Sequence, residues 1–139
     1  MHTSRVNGFL VLASALAFFG CGQPIDHHES AVSSGLGVSE VDCGGMTPDL
    51  RVDVEDGAFE PNDARIPDGG VVMWTNRGRA EHTVTSGRPE DEDAGERFHG
   101  EMHEGESYCL QFEGRGSALY FCEYHPMSMR DATVTVGED

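Results

Sequence analysis

An all-β sandwich of about 100 residues is the fold this chain predicts, and three observations carry the prediction. Apolar and polar residues alternate over short runs, as in Leu50-Arg51-Val52-Asp53-Val54-Glu55. Gly-, Pro- and Asx-rich pairs punctuate those runs, as at Asp56-Gly57, Glu60-Pro61-Asn62 and Pro67-Asp68-Gly69-Gly70. No stretch shows the 3.6-residue apolar period of an amphipathic helix.

The elements follow in order. Residues 1–20 read as a signal peptide, with Arg5 at the positive end and Phe9 to Phe19 as the apolar stretch. That stretch falls short of the roughly 20 residues that span a bilayer. Two cleavage points compete: Ala15-Leu16-Ala17 suits ordinary signal peptidase, and Phe18-Phe19-Gly20-Cys21 looks like a lipoprotein box with Phe18 in place of Leu. An unpaired thiol near a mature N-terminus is a liability in an oxidising compartment, so lipidation of Cys21 is preferred. Residues 21–45 read as a flexible tether, rich in Ser, Gly and acids. Asp26-His27-His28-Glu29 lies within it, and a solvated tail explains these residues more simply than a metal site.

The folded domain is expected over 46–139. Its first strand buries Leu50, Val52 and Val54, and Phe59 plugs the core between two turns. Val71 to Asn76 is a second strand, with Val72 and Trp74 on one face, and His82 to Ser86 begins another after a polar loop. Gly87 to Gly105 reads as the longest irregular stretch. It holds Glu90-Asp91-Glu92-Asp93, which lacks the spacing of a calcium loop, and His99, Met102 and His103, which lack a Cys or a positioned carboxylate. From Glu106 to Phe112, Tyr108, Leu110 and Phe112 share a face while Cys109 and Gln111 point the other way. Ala118, Tyr120 and Cys122 face one side of the next strand, and Val134 and Val136 point inward from the last.

Composition excludes one class of partner. The net charge is -16, and all nine basic residues are Arg. Binding a phosphate backbone requires clustered cations, so no nucleic acid partner is expected. Such a surface keeps a protein soluble and steers it toward basic partners.

The chemistry concentrates in Tyr120-Phe121-Cys122-Glu123-Tyr124-His125-Pro126-Met127-Ser128-Met129, with His82 opening an earlier strand. One Cys, two His and a Met make a soft, mixed sulfur and nitrogen set. Trigonal Cys/His/His coordination with a weak axial Met describes an electron-transfer copper centre.

Phe59-x-Pro61, Val72-x-Trp74-x-Asn76, His82-Thr83-Val84, Gly105-Glu106-Ser107-Tyr108 and Tyr120-x-Cys122-x-x-His125-Pro126 together resemble the cupredoxins, above all the plastocyanin, pseudoazurin and amicyanin group. The resemblance spans about residues 49 to 136. It implies a Greek-key β-sandwich holding one type 1 copper at one end. His82 and His125 would supply imidazole nitrogens and Cys122 a thiolate, with Thr83 placed where cupredoxins tie the ligand loops by hydrogen bonds. The axial position departs from the group. Its Met usually stands five residues after the second His, or three in amicyanin, and those places hold Arg130 and Ser128. Azurins resemble the spacing of Met129, four residues on, though their Cys-to-His loop is longer. Met129 is therefore expected as the axial ligand, with Met127 as the alternative. Once copper takes Cys122 and lipid takes Cys21, Cys43 and Cys109 remain as a disulfide pair, strapping the N-terminal segment across the outside of the sandwich.

The functional expectation is a monomeric electron carrier, lipid-anchored in the bacterial cell envelope on its periplasmic or outer face. It would exchange electrons with redox proteins such as a cytochrome or an oxidoreductase. A copper-delivery protein with the same ligands is the alternative. An enzyme is not expected, because multicopper oxidases need further His-x-His and His-Cys-His arrangements and several domains.

Overall fold

The computed structural model describes residues 35–137, so the signal segment, Cys21 and the His27/His28 pair lie outside the described residues. Within them the chain forms ten strands: β1 (Leu36–Glu40), β2 (Leu50–Glu55), β3 (Ala58–Glu60), β4 (Asp63–Ile66), β5 (Val71–Asn76), β6 (His82–Ser86), β7 (His99–Met102), β8 (Ser107–Gly114), β9 (Gly116–Phe121) and β10 (Ala132–Val136). They make two five-stranded sheets, ordered β1-β8-β5-β2-β3 and β4-β10-β9-β6-β7. The β2/β5 and β4/β10 pairs are parallel, and the other pairs are antiparallel. This is the expected sandwich.

The alternation read from sequence sets the core. Val52, Val54, Phe59, Val72, Trp74, Leu110, Phe112, Ala118, Tyr120, Val134 and Val136 are all buried between the sheets. Trp74 and Phe59 both meet Tyr120 edge-on, with ring centroids 5.4 and 4.7 Å apart. Such contacts add to area burial by about 0.5–1.5 kcal/mol each.

β5 opens with an unbroken apolar run, Val71 to Trp74, because both of its faces are covered there. Val71 and Met73 point away from the core and pack beneath Cys109, Val41 and Cys43. The Cys43–Cys109 disulfide is formed across that outer face, with Cα atoms 5.5 Å apart and a sequence separation of 66. Closing a loop of that length is worth about 4 kcal/mol in the chain-entropy model.

Two expectations need correction. The tether predicted over 21–45 does not extend that far, because residues 36–40 form β1 at the edge of a sheet. β1 pairs with β8 from Leu36↔Gly114 to Glu40↔Leu110. Its own sequence has too few apolar residues to announce a strand. The partner edge, the buried Leu36 side chain and a 2.9 Å bond from Arg97 Nη2 to the Leu36 carbonyl hold it in place. The stretch from 87 to 105 is likewise not wholly irregular, since residues 99–102 form β7 against β6. Gly100 hides that strand from propensity, yet the fold requires it: a Cβ there would stand 2.5 Å from the Tyr108 ring.

Candidate metal centre

The site is built where strands of one sheet end. His82 is the first residue of β6, Cys122 follows the last residue of β9, and His125 and Met129 lie in the loop leading to β10. That loop is closed by its own backbone. Cys122 N–H donates to Met129 O at 2.9 Å, and Met129 N–H donates to His125 O at 2.9 Å. The chain therefore turns on itself within eight residues and returns Met129 beneath the turn, where its side chain is 1% exposed. Met127, on the same turn, is 85% exposed.

Three side chains that the resemblance names as ligands converge. Cys122 Sγ lies 3.7 Å from His82 Nδ1 and 3.6 Å from His125 Nδ1, and the three donor atoms are all within 4.8 Å of one another. The rings of His82 and His125 are 4.9 Å apart between centroids and tilted by 39°. His82 and Cys122 are fully buried, and His125 is half-buried. Bonds of about 2.0 Å to nitrogen and 2.3 Å to sulfur, diverging at 120°, put sulfur and nitrogen about 3.7 Å apart. The observed separations thus suit one ion held between the three atoms better than they suit weak thiol hydrogen bonds. Two imidazoles and a thiol are the donors that serve copper in both of its oxidation states. The residues fit the metal.

A network of hydrogen bonds braces these donors. Thr83 N–H donates to Cys122 Sγ at 3.3 Å, and Glu123 N–H donates to Thr83 Oγ1 at 2.9 Å. The role expected of Thr83, tying the two ligand-bearing segments together, is visible in those bonds. Thr83 Oγ1 lies 2.9 Å from Thr85 Oγ1, which lies 2.9 Å from His99 Nδ1. Buried Asn76 shapes the loop before His82, accepting from Gly78 N–H and donating to the carbonyls of Ala80 and Met102.

Sequence reasoning passed over Asp56, which reads there only as a turn residue. Its carboxylate accepts from His82 Nε2 at 2.9 Å and from the N–H groups of Arg79 and Ala80 at 3.1 Å each. The Arg79 N–H bond first, then His82 and Ala80, hold its pKa down at about 2. No local signal marks this residue, because it meets its partners through the fold.

The weaker candidates do not assemble. Met102 is buried in the core, His103 turns outward to Glu81 and Glu106, and His99 serves the threonine chain. In the acidic run, Glu90 pairs with Arg130, and Asp91 caps Arg88 N–H.

Comparison with known proteins agrees with the geometry. Residues 47–137 match the profile of copper binding proteins of the plastocyanin/azurin family. A plastocyanin from Scenedesmus fuscus is 32% identical over 98 residues, covering 63% of this chain and 96% of that protein. Among solved structures, amicyanin from Paracoccus versutus superposes with a TM-score of 0.56 at 25% identity, covering 73% of this chain and 97% of its own. A purple cupredoxin from Nitrosopumilus maritimus shares the fold, with a TM-score of 0.56 at 24% identity, covering 64% of this chain and 100% of its own. With a family match over most of its length and a copper-suited donor set at the expected place, this chain belongs to the plastocyanin/azurin family of copper-binding proteins.

Proposed function

We propose that this protein is a one-copper electron carrier, with His82, Cys122 and His125 as the strong ligands and Met129 as the weak axial one. The observation that carries the reading is the convergence of His82 Nδ1, Cys122 Sγ and His125 Nδ1 at the end of a rigid sandwich. Copper held there supplies one-electron chemistry between Cu(II) and Cu(I). The chain's own part is to keep donors in one arrangement, so that little reorganises when charge changes. Thr83 and the closed turn from Cys122 to Met129 do this by fixing backbone.

Burial favours Met129 over Met127 as the axial ligand, at 1% against 85% exposure. Met127, with half-exposed Tyr124 beside the His125 edge, instead offers an apolar rim for a redox partner. The net charge of -16 suits a partner with a basic surface, such as a cytochrome or an oxidoreductase. The resemblance of Phe18-Phe19-Gly20-Cys21 to a lipoprotein box supports anchoring in a bacterial cell envelope, on its periplasmic or outer face, and we read the protein as a monomer.

A visible spectrum tests the reading. Copper added to the domain should give an intense thiolate-to-copper charge-transfer band at one ion per chain. Cys122→Ser should abolish the band while the circular dichroism of the sandwich persists. An equally intense band in the variant would refute the ligand set. Loss of the metal to a Cu(I) chelator during redox cycling would favour copper delivery instead.

A further inference from the structure

We propose that Asp56 is a positioning residue of the metal centre, fixing His82 through Nε2 and favouring the oxidised over the reduced metal. The inference rests on the copper reading above and adds a residue 26 positions from His82 in sequence.

The argument starts from burial. His82 is fully buried, so both ring nitrogens need partners within the protein. A carboxylate only accepts hydrogen bonds, so the 2.9 Å contact between Nε2 and Asp56 Oδ1 places the ring proton on Nε2. The lone pair of Nδ1 is then turned toward Cys122 Sγ and His125, where a metal can use it. A carboxylate behind an imidazole also makes the ring a stronger donor. Cu(II) gains more from that than Cu(I), and the reduction potential falls.

Asp56 is itself held in place, which separates this contact from a chance surface pair. It sits at the hairpin turn joining β2 and β3, and two backbone N–H groups, of Arg79 and Ala80, clamp the carboxylate from the loop that leads to His82. Gly78 makes the approach possible, since a Cβ there would collide with the Asp56 carboxylate. Asn76 holds that glycine in turn, accepting its N–H at 2.9 Å. The Asp56 side chain is 49% exposed, so solvent screens part of its charge and the effect is moderate.

The test uses Asp56→Asn, which keeps an acceptor of the same shape and removes the charge. Gly78→Ala displaces the carboxylate without deleting it. Glu106→Gln, a charge removal at an exposed carboxylate paired with His103, is the control. The Asn variant should raise the Cu(I)-over-Cu(II) affinity ratio about tenfold, or 59 mV for one electron. Gly78→Ala should move the potential in the same direction, and the control should move it much less. Independently of copper, long-range proton–nitrogen NMR of the metal-free wild type should find the His82 proton on Nε2, slow to exchange. A potential unchanged beyond the control in both Asp56→Asn and Gly78→Ala, or a proton on Nδ1, overturns the proposal. A wild type that never develops the copper band would defeat the copper reading alone, because the tautomer measurement still decides the Asp56 contact.

Discussion

The two histidines of the centre are chemically identical and structurally opposite. His82 opens a strand, is sealed from solvent and is gripped at its far nitrogen by Asp56. His125 rides on a loop, is half-buried, and stands between Tyr124 and the exposed Met127. On the proposed function, the contrast would let one site meet two demands. A fixed imidazole would keep the geometry constant when the metal changes charge, and an imidazole at the surface would give electrons a short way out.

Removing each ring in turn is the harshest way to break that contrast. Both His82→Gly and His125→Gly should lose the charge-transfer band. Millimolar imidazole should restore it in His125→Gly, whose vacancy opens to solvent, and fail in His82→Gly. Rescue of both, followed spectroscopically, would mean that the two positions are equally accessible. Next in size is Thr83→Ala, which leaves the Glu123 N–H without its acceptor. That bond is part-buried, so the orphaned donor should cost toward the lower end of about 1–3 kcal/mol, read as a lower melting temperature. The copper band should shift rather than vanish.

A milder substitution sharpens the same comparison along the loop. Met129→Leu conserves volume and should cost less than about 1.5 kcal/mol in stability. It should keep the colour and raise the potential, on the order of 59 mV for a tenfold change in affinity ratio. Met127→Leu should leave the potential nearly unmoved, and voltammetry on the two variants decides between them.

The smallest effect concerns a third histidine at the same end, His103, which follows Met102, the β7 partner of His82. Its pKa is raised, first by the hydrogen bond to Glu106 and then by Glu81, while His103 holds Glu106 below the usual carboxylate value. The sign for His103 follows from linkage: its contribution is complete below its ordinary value of about 6.5 and fades as pH rises through the raised value. The contribution of Glu106 is present above its ordinary value and fades as pH falls through the depressed one. A slight loss of melting temperature at alkaline pH, absent in His103→Gln, is the expected outcome. The copper band should ignore the change.

What was legible in the sequence followed from local chemistry. Leu50, Val52 and Val54 announce their strand by alternation, and Cys122-x-x-His125 with His82-Thr83 announces the donor set. What escaped depends on distance. β1 is stabilised by an edge distant in sequence, from Leu36↔Gly114 to Glu40↔Leu110, and a glycine needed by the Tyr108 ring masks β7. Asp56 looks like any turn aspartate until the fold brings His82 to it. The Cys43–Cys109 strap is expected outside the sandwich, but its covering of Val71 and Met73 is not, so β5 showed only its core face in advance.

That strap has a consequence for orientation. Leu36 pairs with Gly114, next to the turn where β9 begins, whereas β9 ends at Phe121, just before Cys122. The chain therefore enters the sandwich at one pole and presents His125 at the other, about 20 Å away along six residues of β9. The candidate metal centre and the start of β1 thus stand at opposite poles of the described residues, and a partner meeting one need not touch the other.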